Sequence, residues 1–309
     1  MDILNQKNAA VKKHTSLLPH LGSLWMLVAA IGFATMGALV KVGATKFTSA
    51  ELVFYRSLFG LLAIYSFIYQ QKLPVKTPFM RKQLSRALVG FISLVLFFYA
   101  IAHLPLATAV TLNYTSPLFM AIFMPFLLHL EHKNLIQKNN KAKIRTYIAV
   151  LLGFIGVVML LHPTFKANDA FAGAIGLASG VGAALAYINV KQLGNLNEPD
   201  WRTVYYFTLI STIASGAWLL LQPFQAINWE DLPVLVGLGV SATIAQLAMT
   251  RAYRTGRTLT VASLAYLTVV IASFIGALFW QEQLSPTEWL AIGIIILSGI
   301  ISVHATNKS

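Results

Sequence analysis

The stretch that decides the fold covers residues 104–123, LPLATAVTLNYTSPLFMAIF, and a related stretch covers residues 258–280, TLTVASLAYLTVVIASFIGALFW. Aligning the two places Tyr114 opposite Tyr266. Each is apolar over about 20 residues, the length that an α-helix needs to cross the hydrocarbon core of a bilayer. The two stretches therefore predict membrane-spanning helices and an internal repeat.

The composition extends this prediction to the whole chain. Apolar residues make up 57% of the 309 positions and charged residues only 11%, whereas soluble domains carry about 25% charged residues. Cysteine is absent, which excludes disulfides, thiol catalysis and cysteine-ligated metal sites. The net charge of +13 does not indicate a nucleic-acid partner, because the basic residues cluster in loops between apolar blocks, as membrane topology requires.

The apolar blocks predict an all-α integral membrane protein with ten transmembrane helices. The blocks are too long and too continuously apolar for the strands of a membrane barrel, which alternate over about ten residues. The predicted spans lie near residues 22–44, 50–70, 86–103, 107–128, 145–162, 171–190, 203–222, 232–250, 258–280 and 285–304.

The basic residues predict the orientation. If the N-terminus is cytoplasmic, 19 of the 23 Lys and Arg residues lie on the cytoplasmic side, with Arg86 counted among the loop residues after the second span. This bias requires an even number of spans. We expect a protein of the cell inner membrane with cytoplasmic tails at residues 1–21 and 305–309.

The repeat divides the spans into two five-helix units, residues 22–162 and 171–304. Because five is odd, the second unit must insert upside down relative to the first. Inverted repeats are common in transporters, where the substrate site lies between the halves near the bilayer midplane. The lipid bilayer and a small-molecule substrate are therefore the expected partners.

Four segments carry a family resemblance: SAELVFYRSLFGLL at 49–62, the stretch at 104–123, GFIGVVMLL at 153–161, and the second copy at 258–289. In order and spacing they resemble the ten-helix EamA group of the drug/metabolite transporter superfamily. The resemblance implies a secondary transporter of a small metabolite that works by alternating access. Amino acids or related compounds are the most frequent solutes in such families, and a vitamin or nucleoside-like solute is an alternative.

The second half departs from the family's pattern. Val269 stands where the first half has Pro117, and Tyr206 stands where the first half has Arg56. We therefore expect the matching helix of the second half to be less broken, and the two halves to contribute unequally to the pathway.

The sequence N-Y-T-S-P at 113–117 supplies the first candidate substrate-binding residues. Pro117 removes one backbone hydrogen bond and frees a carbonyl near Asn113. Broken backbone at membrane depth survives only where it faces protein or a water-filled cavity. We predict that Asn113 and Tyr114 line the pathway; the alternative is a kink packed by neighbouring helices.

The second copy supplies a matching set. Tyr266 is expected to face Tyr114 across the pseudo-symmetry axis with Ser263 nearby, and aromatic rings there suit an apolar or planar metabolite. Ordinary core packing is the alternative. The remaining substrate-binding candidates are polar residues within other spans: Tyr187, Asn189 and Gln246.

Three residues are predicted to have a gating or structural role: Pro117, Arg56 and Glu51. Arg56 lies well inside an apolar block, and its best acidic partner is Glu51; a structural arginine whose head group reaches the interface is the alternative. The motif HLEH at 129–132 lacks further ligands, so no metal is expected. Gly176 and Gly180 form a GxxxG pattern that favours close helix packing. It leaves a homodimer open.

Enzyme motifs are absent. The chain has no HExxH, GxSxG or GxxxxGK[ST] sequence, so we expect no enzyme activity, no cofactor and no direct ATP drive. The alternatives to a transporter are a membrane-embedded lipid-modifying enzyme, for which only HLEH could supply an interfacial acid–base group, and a non-transporting structural membrane subunit.

Overall fold

The computed structural model describes residues 2–104, 106–129, 140–161, 170–221, 224–281 and 284–307. Pro105, Glu131, His132 and Glu282 lie outside them. The described residues form twelve α-helices and a 3-10 turn, and contain no strand. The helices are α1 (Asp2–Gly43), α2 (Ser49–Gln70), α3 (Met80–His103), α4 (Leu106–Asn113), α5 (Ser116–His129), α6 (Asn140–Leu161), α7 (Ala170–Asn195), α8 (Asp200–Leu219), α9 (Leu232–Thr255), α10 (Thr258–Ala265), α11 (Leu267–Trp280) and α12 (Pro286–Asn307).

Eight segments of the described chain are long and apolar enough to cross a membrane. They belong to α1, α2, α3, α6, α7, α9, α10 together with α11, and α12. The sequence prediction of an all-helical, membrane-spanning architecture agrees with this. The α4–α5 segment is described as a shorter apolar stretch, Ala109–Met124, and α8 is not among the eight.

Every predicted span coincides with a described helix, but several boundaries move outward. The third span starts at Met80 rather than at residue 86, and α9 continues to Thr255 rather than residue 250. The first shift overturns one assignment. Arg86 is not a loop residue: it lies within α3 and is only 2% exposed.

Side-chain caps fix where two helices begin. At α2 the Thr48 hydroxyl accepts from the Glu51 N–H, and the Glu51 carboxylate accepts from the Thr48 N–H at 2.8 Å. Ser285 and Glu288 form the same reciprocal arrangement at α12. Such capping boxes satisfy backbone donors that have no partner inside the helix.

Two helical segments are interrupted near their middle. In the first half the break falls at Tyr114–Thr115, and in the second half it falls at Tyr266 alone. Both contain tightened i→i−3 backbone bonds, Thr115 to Leu112 and Tyr266 to Ser263. Tyr266 keeps right-handed helical dihedral angles, so the break without a proline is the smaller one.

The helices of the two halves pack in an exchanged pattern. In the first half, α1 packs on α9 and α11 of the second half. In the second half, α7 packs on the matching helices α3 and α5 of the first half. Helix α2 packs on α8, and α6 packs on α12. The first crossing is close at Gly32, where an added Cβ would lie 2.9 Å from the Ala245 Cβ. The second is closest at Gly182, where an added Cβ would lie 2.9 Å from the Ser93 Cβ.

The N-terminal ends of α8 and α2 each contact a loop of the other half. We call these two sets of contacts the α8 clamp and the α2 clamp. In the α8 clamp, Glu198 accepts hydrogen bonds from Thr77 and Gln83, both at 2.9 Å, and pairs with Arg202.

In the α2 clamp, Glu51 accepts from the Gln225 N–H at 2.7 Å, and Lys46 pairs with Asp231. Each clamp joins the start of one helix to the loop that follows its partner helix in the other half.

Candidate functional site

The two helix breaks meet inside the bundle. The rings of Tyr114 and Tyr266 lie 6.3 Å apart between centroids, tilted by 37°. Tyr266 is fully buried and packs against α6 at Gly153, where an added Cβ would lie 2.5 Å from its ring. The residues that the repeat alignment pairs are thus in contact.

A second aromatic pair completes what we call the tyrosine cluster: Tyr114, Tyr187, Tyr253 and Tyr266. The rings of Tyr187 and Tyr253 stack at 5.0 Å with an interplanar angle of 14°. Tyr253 is 1% exposed and interacts electrostatically with the other three tyrosines. The cluster brings together side chains from the helix breaks, α7 and α9.

Two arginines approach this cluster from the first half. Arg56 on α2 is 8% exposed and Arg86 on α3 is 2% exposed. Both interact electrostatically with Tyr187 and with each other. The Arg86 guanidinium also lies 4.3 Å from the centroid of the Phe207 ring, a cation–π contact that offsets part of the cost of burying the charge.

Neither arginine has an acidic partner within the described chain. The salt bridges there join Lys46 to Asp231, Arg202 to Glu198 and Arg254 to Asp200. The sequence prediction that Glu51 pairs with Arg56 is wrong, because the Glu51 carboxylate is occupied by the α2 cap and by the Gln225 N–H. A capping carboxylate points back along its helix terminus, away from residues further along.

Several buried polar atoms near the cluster have no hydrogen-bond partner in the described part of the chain. They include the Arg86 Nε and Nη1 atoms and the Tyr266 hydroxyl; the predicted candidate Gln246, on α9, also has an Nε2 atom without a partner there. Leaving a buried polar group unsatisfied costs about 1–3 kcal/mol, more for a charged group. Such unpaired groups are therefore candidate ligand contacts.

Asn113 and Ser263 are used for helix packing. Asn113 donates to the Ser179 hydroxyl at 3.1 Å, and Ser179 donates to the Gly176 carbonyl. Gly180, one turn further along α7, closely approaches the Leu112 and Asn113 carbonyls. Ser263 donates to carbonyls of its own helix at 3.0 and 3.2 Å. The GxxxG pattern thus serves packing within this chain.

Asn189 and Tyr187 do not share a face. Asn189 lies two residues beyond Tyr187 on α7, about 200° around the helix, and contacts Ser85 at 3.4 Å. Pro117 is buried beside the break at the start of α5. Of the predicted substrate-binding residues, the structure therefore brings Tyr114, Tyr187 and Tyr266 together.

The sequence interpretation missed Arg86 and Tyr253. Both lie within helices but close to clusters of basic residues that were assigned to loops. The sequence offered one signal for Arg86, which is that Gln83 lies three residues before it. In the structure both side chains are buried. That spacing places them on one helix face, which is typical of an inward-facing polar stripe.

Comparison with known proteins decides the family. The model of the EamA-like transporter family matches residues 20–162 and 171–303. The chain belongs to this family. Each matched segment contains one of the two helix breaks.

Relatives of this EamA protein include named transporters. It is 28% identical to a pseudopaline exporter of Pseudomonas aeruginosa, over 93% of this chain and 97% of the relative. It is 27% identical to a riboflavin transporter of Vibrio cholerae, over 97% of each chain. It is 23% identical to an S-adenosylmethionine uptake transporter of Rickettsia prowazekii, over 93% of this chain and 94% of the relative.

A crystal structure shares the fold of the EamA protein, with a TM-score of 0.77 and 17% identity, covering 91% of this chain and 96% of that chain. Family and relatives together identify a multi-pass membrane transporter of small solutes rather than an enzyme. The site offers cations and aromatic rings to a solute.

Proposed function

We propose that this protein is a ten-span secondary transporter that moves a small metabolite across the inner membrane by alternating access. Amino acids or related compounds are the leading solutes, with a vitamin or nucleoside-like solute as the alternative. The observation that carries the proposal is the buried convergence of the tyrosine cluster with Arg56 and Arg86 between the two halves.

The ninth and tenth spans are α4–α5 and α8. Residues 106–129 and the 20-residue α8 are each about 30 Å long or more at 1.5 Å per residue, enough to cross the hydrocarbon core. Helix α8 is less apolar because it contains several hydroxyl residues. Thr208 and Ser215 donate to carbonyls of their own helix, so these groups do not need water.

Matching helix lengths support the inverted repeat. Helices α3 and α9 both have 24 residues, α4 and α10 have 8, α5 and α11 have 14, and α6 and α12 have 22. The exchanged packing, α1 on α9 and α7 on α3, is what a two-fold relation between halves produces. Five spans per unit then make the units antiparallel, the arrangement that supports alternating access.

Alternating access requires contacts between the halves that form and break, and the two clamps are contacts of this kind. The α2 and α8 clamps both join residues of different halves. In the proposed topology, with both termini cytoplasmic, the α8 clamp lies at the cytoplasmic face and the α2 clamp at the opposite face. Releasing one clamp while keeping the other would open the site to one side at a time.

Flux measurement tests the proposal directly. The full chain is reconstituted in liposomes with a small-molecule extract of bacterial cells, and protein-dependent uptake is followed by mass spectrometry without ATP. We expect uptake of at least one solute, reduced about tenfold by Tyr187→Ala, because an aromatic contact contributes about 1.5 kcal/mol.

Tyr65→Ala is the matched control, since Tyr65 is 52% exposed on α2 and should leave uptake unchanged. Absence of any protein-dependent uptake would contradict the transporter proposal. A reporter fused after Gln281 tests the topology separately. Cytoplasmic signal at that position would contradict the inverted repeat, which places Gln281 on the opposite side.

A further inference from the structure

We infer that Arg56 and Arg86 bind a carboxylate of the transported solute, while the tyrosine cluster packs against its apolar or planar part. This inference rests on the proposed transport function and narrows its substrate to organic anions. It starts from two cations that are buried without counter-ions in the described chain.

The acidic residues whose side chains the structure describes are bonded elsewhere or exposed. Glu198, Asp200 and Asp231 pair with Arg202, Arg254 and Lys46. Glu51 and Glu288 cap α2 and α12, and Glu230 is exposed. A buried charge without a partner is costly, and ionisable groups at membrane depth are usually retained for function. The missing negative charge is therefore assigned to the solute.

The depths of the two arginines fit a site near the midplane. Arg56 is the eighth residue of α2 and Arg86 the seventh of α3, so each lies about 10 Å from the start of its helix. Consecutive spans run in opposite directions, so these starts lie at opposite faces. The two guanidinium groups thus approach the middle of the bilayer from opposite sides.

The donor atoms match a carboxylate. Arg86 Nε and Nη1 lack partners within the described chain, and a guanidinium edge binds a carboxylate through two parallel hydrogen bonds. Tyr187 interacts with both arginines and stacks on Tyr253. A solute with its carboxylate at the arginines would therefore place its remaining atoms against tyrosine rings.

The test uses the extract from the flux experiment, separated by anion exchange into acidic and neutral fractions. We expect uptake from the acidic fraction, and we expect that fraction to raise the melting temperature of the purified full-length protein. Treating the acidic fraction with phosphatase should change neither result. Loss of the signal on this treatment would identify a phosphate monoester and overturn the carboxylate assignment.

The variants are Arg86→Gln and, on the same helix, Arg81→Gln, since Arg81 is exposed. We expect Arg86→Gln to lower carboxylate uptake by about 100-fold or more, because two charge-assisted hydrogen bonds are lost, and Arg81→Gln to retain it. The substrate-free Arg86→Gln protein should melt no earlier than the wild type. A lower melting temperature would indicate a structural arginine and overturn the inference.

The outcomes separate this inference from the transport proposal. Uptake restricted to neutral-fraction solutes that have no carboxylate would leave the transporter intact and refute the carboxylate. If no fraction is taken up, transport fails, and the melting temperatures alone decide whether acids bind at Arg86. The wild-type comparison of fractions needs no variant, so a poorly folding Arg86→Gln protein would not block the test.

Discussion

The two halves of the molecule share their packing but not the chemistry of their inward faces. Close approach is duplicated, at Gly32 in the first half and Gly182 in the second. The cations are not: the positions matching Arg56 and Arg86 carry Tyr206 and Leu238. Conversely, three of the four clustered tyrosines come from the second half. One half supplies charge and the other supplies most of the aromatic surface.

This difference has a physical reason. Helix crossings must be equivalent if the two halves are to exchange conformations, so the residues that set interhelical distance are repeated. A metabolite with an acidic end and an apolar end has no two-fold symmetry. A site that binds it in one orientation must place different groups on its two sides. In the proposed alternating-access mechanism, the duplicated scaffold and the unequal site thus have one cause.

The matched tyrosines give the sharpest way to break this comparison. Tyr266 is fully buried against Gly153, whereas Tyr114 is half-buried. We expect Tyr266→Ala to destabilise the protein by about 3–5 kcal/mol, as for other large core aromatic residues, and Tyr114→Ala to cost less. Equilibrium unfolding in detergent measures both.

The hydroxyl provides the control for that experiment. Tyr266→Phe should leave stability unchanged or raise it, because the hydroxyl has no partner within the described chain and an unsatisfied buried polar group is costly. Equal losses for Tyr114→Ala and Tyr266→Ala would show that the two positions have the same environment, contrary to the structure.

Much of the helical scaffold could be predicted from the sequence, because the length of an apolar run determines where a helix can cross a membrane. The contact between Tyr114 and Tyr266 followed from alignment alone. The site was harder to predict. Arg86 and Tyr253 were missed for one reason: span ends were placed at the first basic residues, whereas α3 and α9 continue past them.

Asn189 as a solute-binding residue stays a prediction; the helical period places it on a different face of α7 from Tyr187. The pairing of Arg56 with Glu51 failed because Thr48 makes Glu51 part of a capping box. That motif is visible as T-S-A-E at 48–51, so this error could have been avoided from the sequence.

The duplicated glycines test the equivalence of the scaffold. An added Cβ at Gly32 or Gly182 would lie 2.9 Å from a neighbouring Cβ, whereas at Gly37 no atom lies within 4 Å. We expect Gly32→Ala and Gly182→Ala to lower stability by similar amounts, about 1–3 kcal/mol, through overpacking. Gly37→Ala should be neutral or stabilising by up to about 1 kcal/mol.

Unfolding measurements on the three glycine variants decide this point. A large loss at only one of Gly32 and Gly182 would show that the α1–α9 and α3–α7 crossings are not equivalent. A loss at Gly37 equal to the others would attribute all three effects to the substitution itself rather than to close packing.

The smallest effect is expected at the α2 clamp, which is less buried than the α8 clamp. The side chains of Lys46 and Asp231 in the α2 clamp are 32% and 16% exposed, whereas those of Arg202 and Glu198 in the α8 clamp are 11% and 4% exposed. Exposed ion pairs contribute little to stability. Asp231→Asn should therefore have little effect. Glu198→Gln should cost about 1–3 kcal/mol, because it leaves Arg202 buried without its carboxylate.

Salt dependence separates the two clamps further. Screening weakens exposed pairs more than buried ones, so raising the ionic strength should remove the effect of Asp231→Asn while leaving most of the effect of Glu198→Gln. Because the clamps lie at opposite ends of the bundle in the proposed topology, the weaker α2 clamp should release first. Site-directed labelling of single cysteines placed beside each clamp measures this. Faster labelling beside the α8 clamp than beside the α2 clamp would reverse the assigned order of opening.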